Sequence, residues 1–416
     1  MVLSISLPQF RFLGFIMTKK VASQTANPAS VLGPWPYYGD DEIEAVTDVL
    51  RSGRANYWTG PEGSNFETEY AAHCGTTHGL AVANGTVAIE LALWGIGIKP
   101  GDEVVVPTRT FIATASAVVR MGAVPVVADV NTISQNISAE TVDAVITNRT
   151  RAIIVVHLSG WPVDMNPIMA LAKKKDLSVI EDCAQAHGAQ YRERPVAGIG
   201  HVGCFSFCQD KIISTGGEGG MVVTSDIQIY KRMWAFRDHG KSYERVHKDE
   251  LTQGFQWLID SFGTNWRLTE MQATIGRMQL RKLSDWVKKR RKNATVLTEW
   301  LSGLPAVHVP KPEPHSYHSY YKYNFIINPD TLKAGWSRDR ILEELVKLGV
   351  PARVGSCFNV SQELAFDNSN FPVGDLPNAR SLEYKTLTLP CHPTLTKENL
   401  TFLGESLRKV ITEATL

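Results

Sequence analysis

Cysteine is scarce in this 416-residue chain and has no pattern: Cys74, Cys183, Cys204, Cys208, Cys357 and Cys391 form neither a Cys-x-x-Cys pair nor a disulfide-framework spacing. Free thiols in a reducing compartment follow, and a cytoplasmic location is expected. An excess of one charge is also lacking, with 43 Lys plus Arg against 42 Asp plus Glu and a net charge of +1. No overall field draws the chain to nucleic acid or to a membrane surface. Long apolar runs are missing as well. The N-terminal stretch before Lys19 and Lys20 is interrupted by Pro8 and Arg11, is too short to span a bilayer, and has its charges on the wrong side for a secretory signal. Residues 1–33 are expected to be a disordered extension, with Met17 as an alternative start. No G-x-G-x-x-G follows the first strand, which argues against a dinucleotide-binding domain. His201, Cys204 and Cys208 could suggest a metal, but on one strand the two thiols would lie roughly 13 Å apart, too far to share a zinc.

What is present reads as an ordinary globular enzyme-sized chain, 44% hydrophobic and 20% charged. Its length exceeds what one core organises, so a large domain over 34–279, and over 280–416 a linking helix followed by a smaller domain, are expected. Helix begins near Asp40 and Asp41, whose charges suit a helix N-terminus. The polar, glycine-punctuated loop 51–63 carries Tyr57 and Trp58, which serve either ligand contact or packing. Residues 66–74 read as helix and 79–83 as strand. The turn Asn84-Gly85-Thr86 then opens a helix over 87–94, an arrangement that can hold a phosphate on free backbone amides, although many such turns bind nothing. Strands at 104–107, 124–128, 152–156 and 177–180 alternate with helices at 112–121 and 166–175. This rhythm implies an α/β fold, a mostly parallel sheet with helices on both faces that binds ligands at the carboxyl ends of its strands. Asp182 lies at one such end.

The stretch 204–224 organises the rest. Cys204, Ser206 and Cys208 alternate with Phe205 and Phe207, the period of a half-buried strand, and a second strand follows at 221–224. Between them sit Lys211 and the glycines Gly216, Gly217, Gly219 and Gly220. A lysine on so tight a connection suits covalent chemistry, because partial desolvation or a nearby cation lowers the pKa of its amine. An ordinary β-turn, with glycines supplying positive φ, is the other reading.

Several motifs in one order carry a more specific signal: Asn84-Gly85-Thr86, Val106-Pro-Thr-Arg-Thr-Phe111, Val156-His-Leu-Ser-Gly160, Glu181-Asp-Cys-Ala-Gln-Ala-His-Gly188, Phe205-Ser-Phe-Cys-Gln-Asp-Lys211 with Gly217-Glu-Gly-Gly220, and Asn265-Trp-Arg-Leu-Thr-Glu270. With these the chain, from about Pro34 to its end, resembles the DegT/StrS-type sugar aminotransferases, pyridoxal phosphate enzymes of the aspartate aminotransferase fold (fold type I). The resemblance implies that Lys211 forms the internal aldimine and moves the proton during turnover through pyridoxamine phosphate, and that Asp182 pairs with the pyridine nitrogen. It further implies that Phe111 stacks on the ring, that Gln185 donates to the phenolic oxygen, and that Gly85, Thr86 and Ser206 hold the phosphate. Asn265 would complete the phosphate cup of the other subunit, so a homodimer with shared active sites is implied. The amino donor would be glutamate or glutamine, and the acceptor a keto group on a nucleotide-linked sugar. Substrate contacts are expected from Tyr57, Trp58, His187, His239 and the region from Tyr317 through Tyr320 to Tyr321.

Residues 280–301 have helical apolar spacing, and the basic run Lys288 to Lys292 on it reads as a solvated face rather than a nucleic-acid site. A strand at 320–327 and helices at 337–348 and 397–411 describe an α+β cap. The segment 353–362 departs from the proline- and histidine-containing loop that the resemblance leads one to expect. A sugar dehydratase of the same fold is the alternative enzyme; in that type histidine replaces the lysine, against which Lys211 counts. A catalytically silent sensor or assembly protein is the alternative outside enzymes, and the set Lys211, Asp182, Phe111, Gln185 and Ser206 counts against it.

Overall fold

A computed structural model describes residues 32–247, 258–355 and 357–416. The expectations of an extension and an alternative start at Met17 concern residues that lie, but for the last two of 1–33, outside this range. Leu32 is buried against the helix Lys397–Ala414 and its neighbours, so the packed structure begins slightly earlier than expected.

The central sheet has seven strands: β1 (His78–Val82), β2 (Glu103–Pro107), β3 (Val124–Ala128), β4 (Thr150–Val156), β5 (Ser178–Asp182), β6 (Val202–Ser206) and β7 (Gly220–Thr224), in the spatial order β1-β7-β6-β5-β4-β2-β3. Strand β7 alone runs against the direction of the others. Both faces are covered, and alternate residues feed different cores. Val104 and Val106 pack on one side and Val105 on the other, while Cys204 and Phe205 divide in the same way. Sequence periodicity suggested a half-buried strand near Cys204; β6 is instead buried along its whole length, as strands between two helical layers are.

A second sheet pairs β8 (Val307–His308), β9 (Tyr323–Ile327), β10 (Arg353–Val354) and β11 (Thr386–Leu389) in the order β8-β9-β11-β10. The 32-residue helix Glu270–Leu301 serves both sheets. Its Leu283 and Val287 lie in the core under β6 and β7, and its Ala294, Leu297 and Leu301 in the core of the second sheet. Thr269 caps its start, with Gln272 closing a capping box. The boundary drawn at residue 280 thus falls inside one continuous helix. The basic run on it is not uniformly solvated: Arg290 is buried, donates to the Tyr320 and Tyr321 carbonyls at 3.3 Å each, and lies over the Trp35 ring. A cation can be buried there because an aromatic face and two carbonyls replace part of its hydration. No helix among the described residues is long and apolar enough to cross a membrane.

Candidate active site

The carboxyl ends of β1, β5 and β6 lie at one end of the sheet, with the start of the antiparallel β7 between β1 and β6. Asp182 is in register with Cys204, Ser206 with Gly220, and Gly220 with Val82, so the turn after β1, the carboxylate ending β5 and the hydroxyl ending β6 face one region. The helix Gly85–Ile96 starts directly from β1. The Asn84 side chain takes the Val87 amide at 3.1 Å, and the Gly85 and Thr86 amides are first-turn donors with no acceptor inside the helix. A methyl group on Gly85 would come within 2.6 Å of Ser206 Cβ, so glycine is what lets helix and strand meet there. Free amides at a helix N-terminus, with the Ser206 hydroxyl beside them, form an anion cradle.

Asp182 is buried. Its Oδ2 accepts from Thr114 Oγ1 at 3.0 Å and its Oδ1 from the Ala184 amide at 3.1 Å, while Thr110 Oγ1 holds Thr114 in place at 2.7 Å. Burial pushes the Asp182 carboxyl above its ordinary range, against the opposing pull of the two hydrogen bonds and of Lys211. A carboxylate so placed gains most from a cationic partner. Neighbouring Glu181 serves the fold instead, since its two oxygens take His157 and the Ala197, Ile199 and Gly200 amides. With its acceptor sites filled, the grouping of His157, Glu181 and Cys183 is a structural one.

Lys211 projects from the connection after β6. Its Nζ lies 3.5 Å from Asp210 Oδ1 and 5.0 Å from the Tyr321 ring centre, and the Tyr321 hydroxyl donates to the other Asp210 oxygen. Its nearest charge is therefore an anion, not the cation that the sequence allowed for. Trp35 Nε1 donates to the Lys211 carbonyl at 3.1 Å, which ties the N-terminal arm to this connection. Gln185 accepts from the Ser159 amide at 2.8 Å, and its Nε2 lies 3.5 Å from Cys357 Sγ. Phe111 remains 66% exposed, a large apolar ring with an uncovered face. A basic amine, a buried carboxylate, an uncovered aromatic ring and an anion cradle together match a flat, phosphate-bearing ring with a basic nitrogen. Those donors and acceptors fit pyridoxal phosphate.

The residues expected to contact substrate divide. His187 is fully buried, its Nδ1 2.7 Å from the Tyr70 hydroxyl and its Nε2 3.0 Å from the Ser206 carbonyl. With both nitrogens engaged inside the core it cannot meet a substrate, and the expectation is corrected: His187 supports β6 from behind. Tyr317 is covered by the Arg291 guanidinium at 3.9 Å, and Tyr320 stacks on His318 at 3.9 Å; the tyrosine of this region that reaches Lys211 is Tyr321. Trp58 is exposed and donates to Asp238 at 2.7 Å, while the Tyr57 hydroxyl donates to Glu67 at 2.8 Å beneath it. His239 and Asn265 flank the same Asp238, Asn265 by a backbone bridge, and both are exposed. These four form a grouping around Asp238, and the carbonyl of the residue after Asn265, Trp266, accepts from the Ala83 amide at 2.9 Å beside the Asn84–Thr86 turn.

Sequence reasoning missed Thr114, Asp210, Arg109 and Cys357, while Tyr321 fell at the end of the region 317–321 expected to meet substrate. Helical spacing from Thr110 to Thr114 was the only signal for the first; the others meet the site through tertiary contacts.

A model of the DegT/DnrJ/EryC1/StrS aminotransferase family matches residues 36–408. The UDP-N-acetyl-3-dehydro-alpha-D-glucosamine 3-aminotransferase of Acidithiobacillus ferrooxidans is 37% identical over 372 residues, 89% of this chain and 94% of that protein. The dTDP-3-amino-3,4,6-trideoxy-alpha-D-glucose transaminase of Streptomyces venezuelae is 35% identical over 374 residues, 89% of this chain and 93% of that protein. The crystal structure of an aminotransferase from Psychrobacter cryohalolentis superposes with a TM-score of 0.90 at 46% identity, covering 92% of this chain and 99% of that one.

Proposed function

Because the chain belongs to the DegT/DnrJ/EryC1/StrS aminotransferase family, we propose that it is a pyridoxal-phosphate-dependent transaminase that moves an amino group from glutamate or glutamine to a keto group on a nucleotide-linked sugar. The observation that carries the reading is the convergence of Lys211, the buried Asp182 and the Gly85–Ser206 cradle at adjoining strand ends. The named relatives that act on nucleotide-linked sugars support the acceptor class.

When bound, the cofactor supplies an electron-withdrawing ring that stabilises negative charge developing at the substrate α-carbon. The Gly85 and Thr86 amides and the Ser206 hydroxyl bind its phosphate, and Phe111 covers a face of its ring and excludes water. Asp182, held by Thr114 and Ala184, keeps the ring nitrogen protonated, a charge-assisted pairing that also offsets the desolvation of the carboxylate. Lys211 is the group that takes the proton from the substrate α-carbon and returns it, with Asp210 and Tyr321 fixing the position of its Nζ. Asn265, exposed on the Asp238 grouping, completes the phosphate site of a second copy in a cytoplasmic homodimer.

The test is the visible absorption spectrum of the purified protein before and after adding glutamate or glutamine alone. A cofactor band that shifts to the amine form is the expected result. No band, even after reconstitution with pyridoxal phosphate, overturns the roles of Lys211 and Asp182 together.

A further inference from the structure

Arg109 leaves β2 two residues before Phe111 and is only 3% exposed, yet its Nε has no acceptor and its guanidinium makes no ion pair among the described residues. Arginine keeps its charge at any ordinary pH. It is thus a buried cation in contact with no counter-charge, a state that folding alone does not favour. Glu383 acts on it only at a distance, and the like charge of Arg338 opposes that attraction. Other buried arginines of the chain are engaged: Arg237 pairs with Glu67, Arg290 donates to two carbonyls under Trp35, and Arg338 donates to the Thr386 carbonyl. Each of these arginines has at least one hydrogen-bonded nitrogen, whereas Arg109 makes no ion pair among the described residues.

Its position points to a ligand. The Arg109 backbone forms a bridge with Asn359, and a methyl group on Gly355 would come within 2.9 Å of Arg109 Nη2. Close to it on the same segment, Cys357 meets the Gln185 amide at 3.5 Å and lies within the electrostatic reach of Arg109, Lys211 and Asp182 alike. The guanidinium therefore packs against the segment that carries Gly355, Cys357 and Asn359, whose sequence departs from the loop expected there and whose Cys357 meets Gln185.

We propose that Arg109 is a specificity-determining residue that binds a substrate carboxylate through its free guanidinium edge, an inference that rests on the transaminase reading. Planar guanidinium and carboxylate match in a two-bond fork, and the pairing neutralises the buried charge. The carboxylate comes either from the amino donor or from an acidic sugar acceptor.

The variants Arg109→Gln and Arg109→Lys separate these cases. In the cofactor-loaded protein, 2-oxoglutarate serves as carboxylate probe for the donor side and a nucleotide-linked uronic acid for the acceptor side, each read as a rise in melting temperature. Arg109→Gln is expected to keep the visible cofactor band, to melt no lower than the wild type without ligand, and to lose the rise with one probe. The KM for the matching substrate should increase about 10- to 100-fold with kcat changed far less. Arg109→Lys, which keeps the charge but not the fork, should fall between the two and stands in if the Gln variant does not fold. Loss with 2-oxoglutarate assigns the donor, and loss with the uronic acid assigns the acceptor. Unchanged KM values and probe responses on both sides overturn the proposal and leave Arg109 a structural charge. A wild type that takes up no cofactor sinks the transaminase reading instead, while a carboxylate-induced rise that depends on Arg109 remains readable.

Discussion

At neutral pH His187 is uncharged. Burial pushes its pKa to about 3, and His318 and His392 are lowered to about 3 for the same reason. In the unfolded chain a histidine titrates near 6.5. The unfolded state therefore binds more protons than the native state between these values, so the histidines favour folding fully above about pH 6.5 and progressively less as pH falls toward 3. Urea unfolding followed across pH should show a plateau above neutrality and a steady decline below about 6.5, amounting to about 3 kcal/mol for each of the three by about pH 4. Stability that stayed level between pH 6.5 and 4.5 would contradict the assignment of these three as buried neutral rings. Asp182 works in the opposite sense: its raised pKa makes the charged carboxylate a burden on the empty fold at neutral pH, which a bound cation offsets.

Helix Gly85–Ile96 shows how an element makes a site by the way it begins. Gly85→Ala places a methyl group 2.6 Å from Ser206 Cβ and must push the helix start away from β6. We expect weaker pyridoxal phosphate binding and a loss of about 1–3 kcal/mol of stability, the usual cost of overpacking. A fluorescence titration with the cofactor and a thermal melt check both; unaltered binding would mean that the phosphate sits elsewhere. Elements of this kind were legible in the sequence because a buried parallel strand is a short apolar run and its helix starts at a small-residue turn. Asp182 was legible because it stands at a strand end, and Lys211 because it sits on the tight connection between two strands. Arg109 was not, since its significance lies in lacking a partner, and Cys357 depends on Gln185, far away in the chain. Arg290 was misjudged for a related reason: a basic run reads as solvated unless the Trp35 that receives it is known. His187 misled because a histidine in a cofactor motif looks chemical, whereas Tyr70 and the Ser206 carbonyl use both its nitrogens.

For the whole molecule, shared active sites make a quantitative claim. If Asn265 serves the other copy, co-expressing Lys211→Ala with Asn265→Ala gives mixed dimers in which one site has both mutations and the other has neither. Random assortment then restores about a quarter of wild-type activity, although each variant alone is nearly inactive. Activity no higher than that of the separate variants would place Asn265 within its own subunit's site.

The helix Glu270–Leu301 that feeds both hydrophobic cores bears on how the chain can be divided. A cut at residue 280 would strip Leu283 and Val287 from one half and leave the other half with a turn of apolar helix exposed. Neither piece is then a self-sufficient folding unit, and limited proteolysis should spare this helix while it nicks the surface loops. The two lobes are expected to unfold as one cooperative unit.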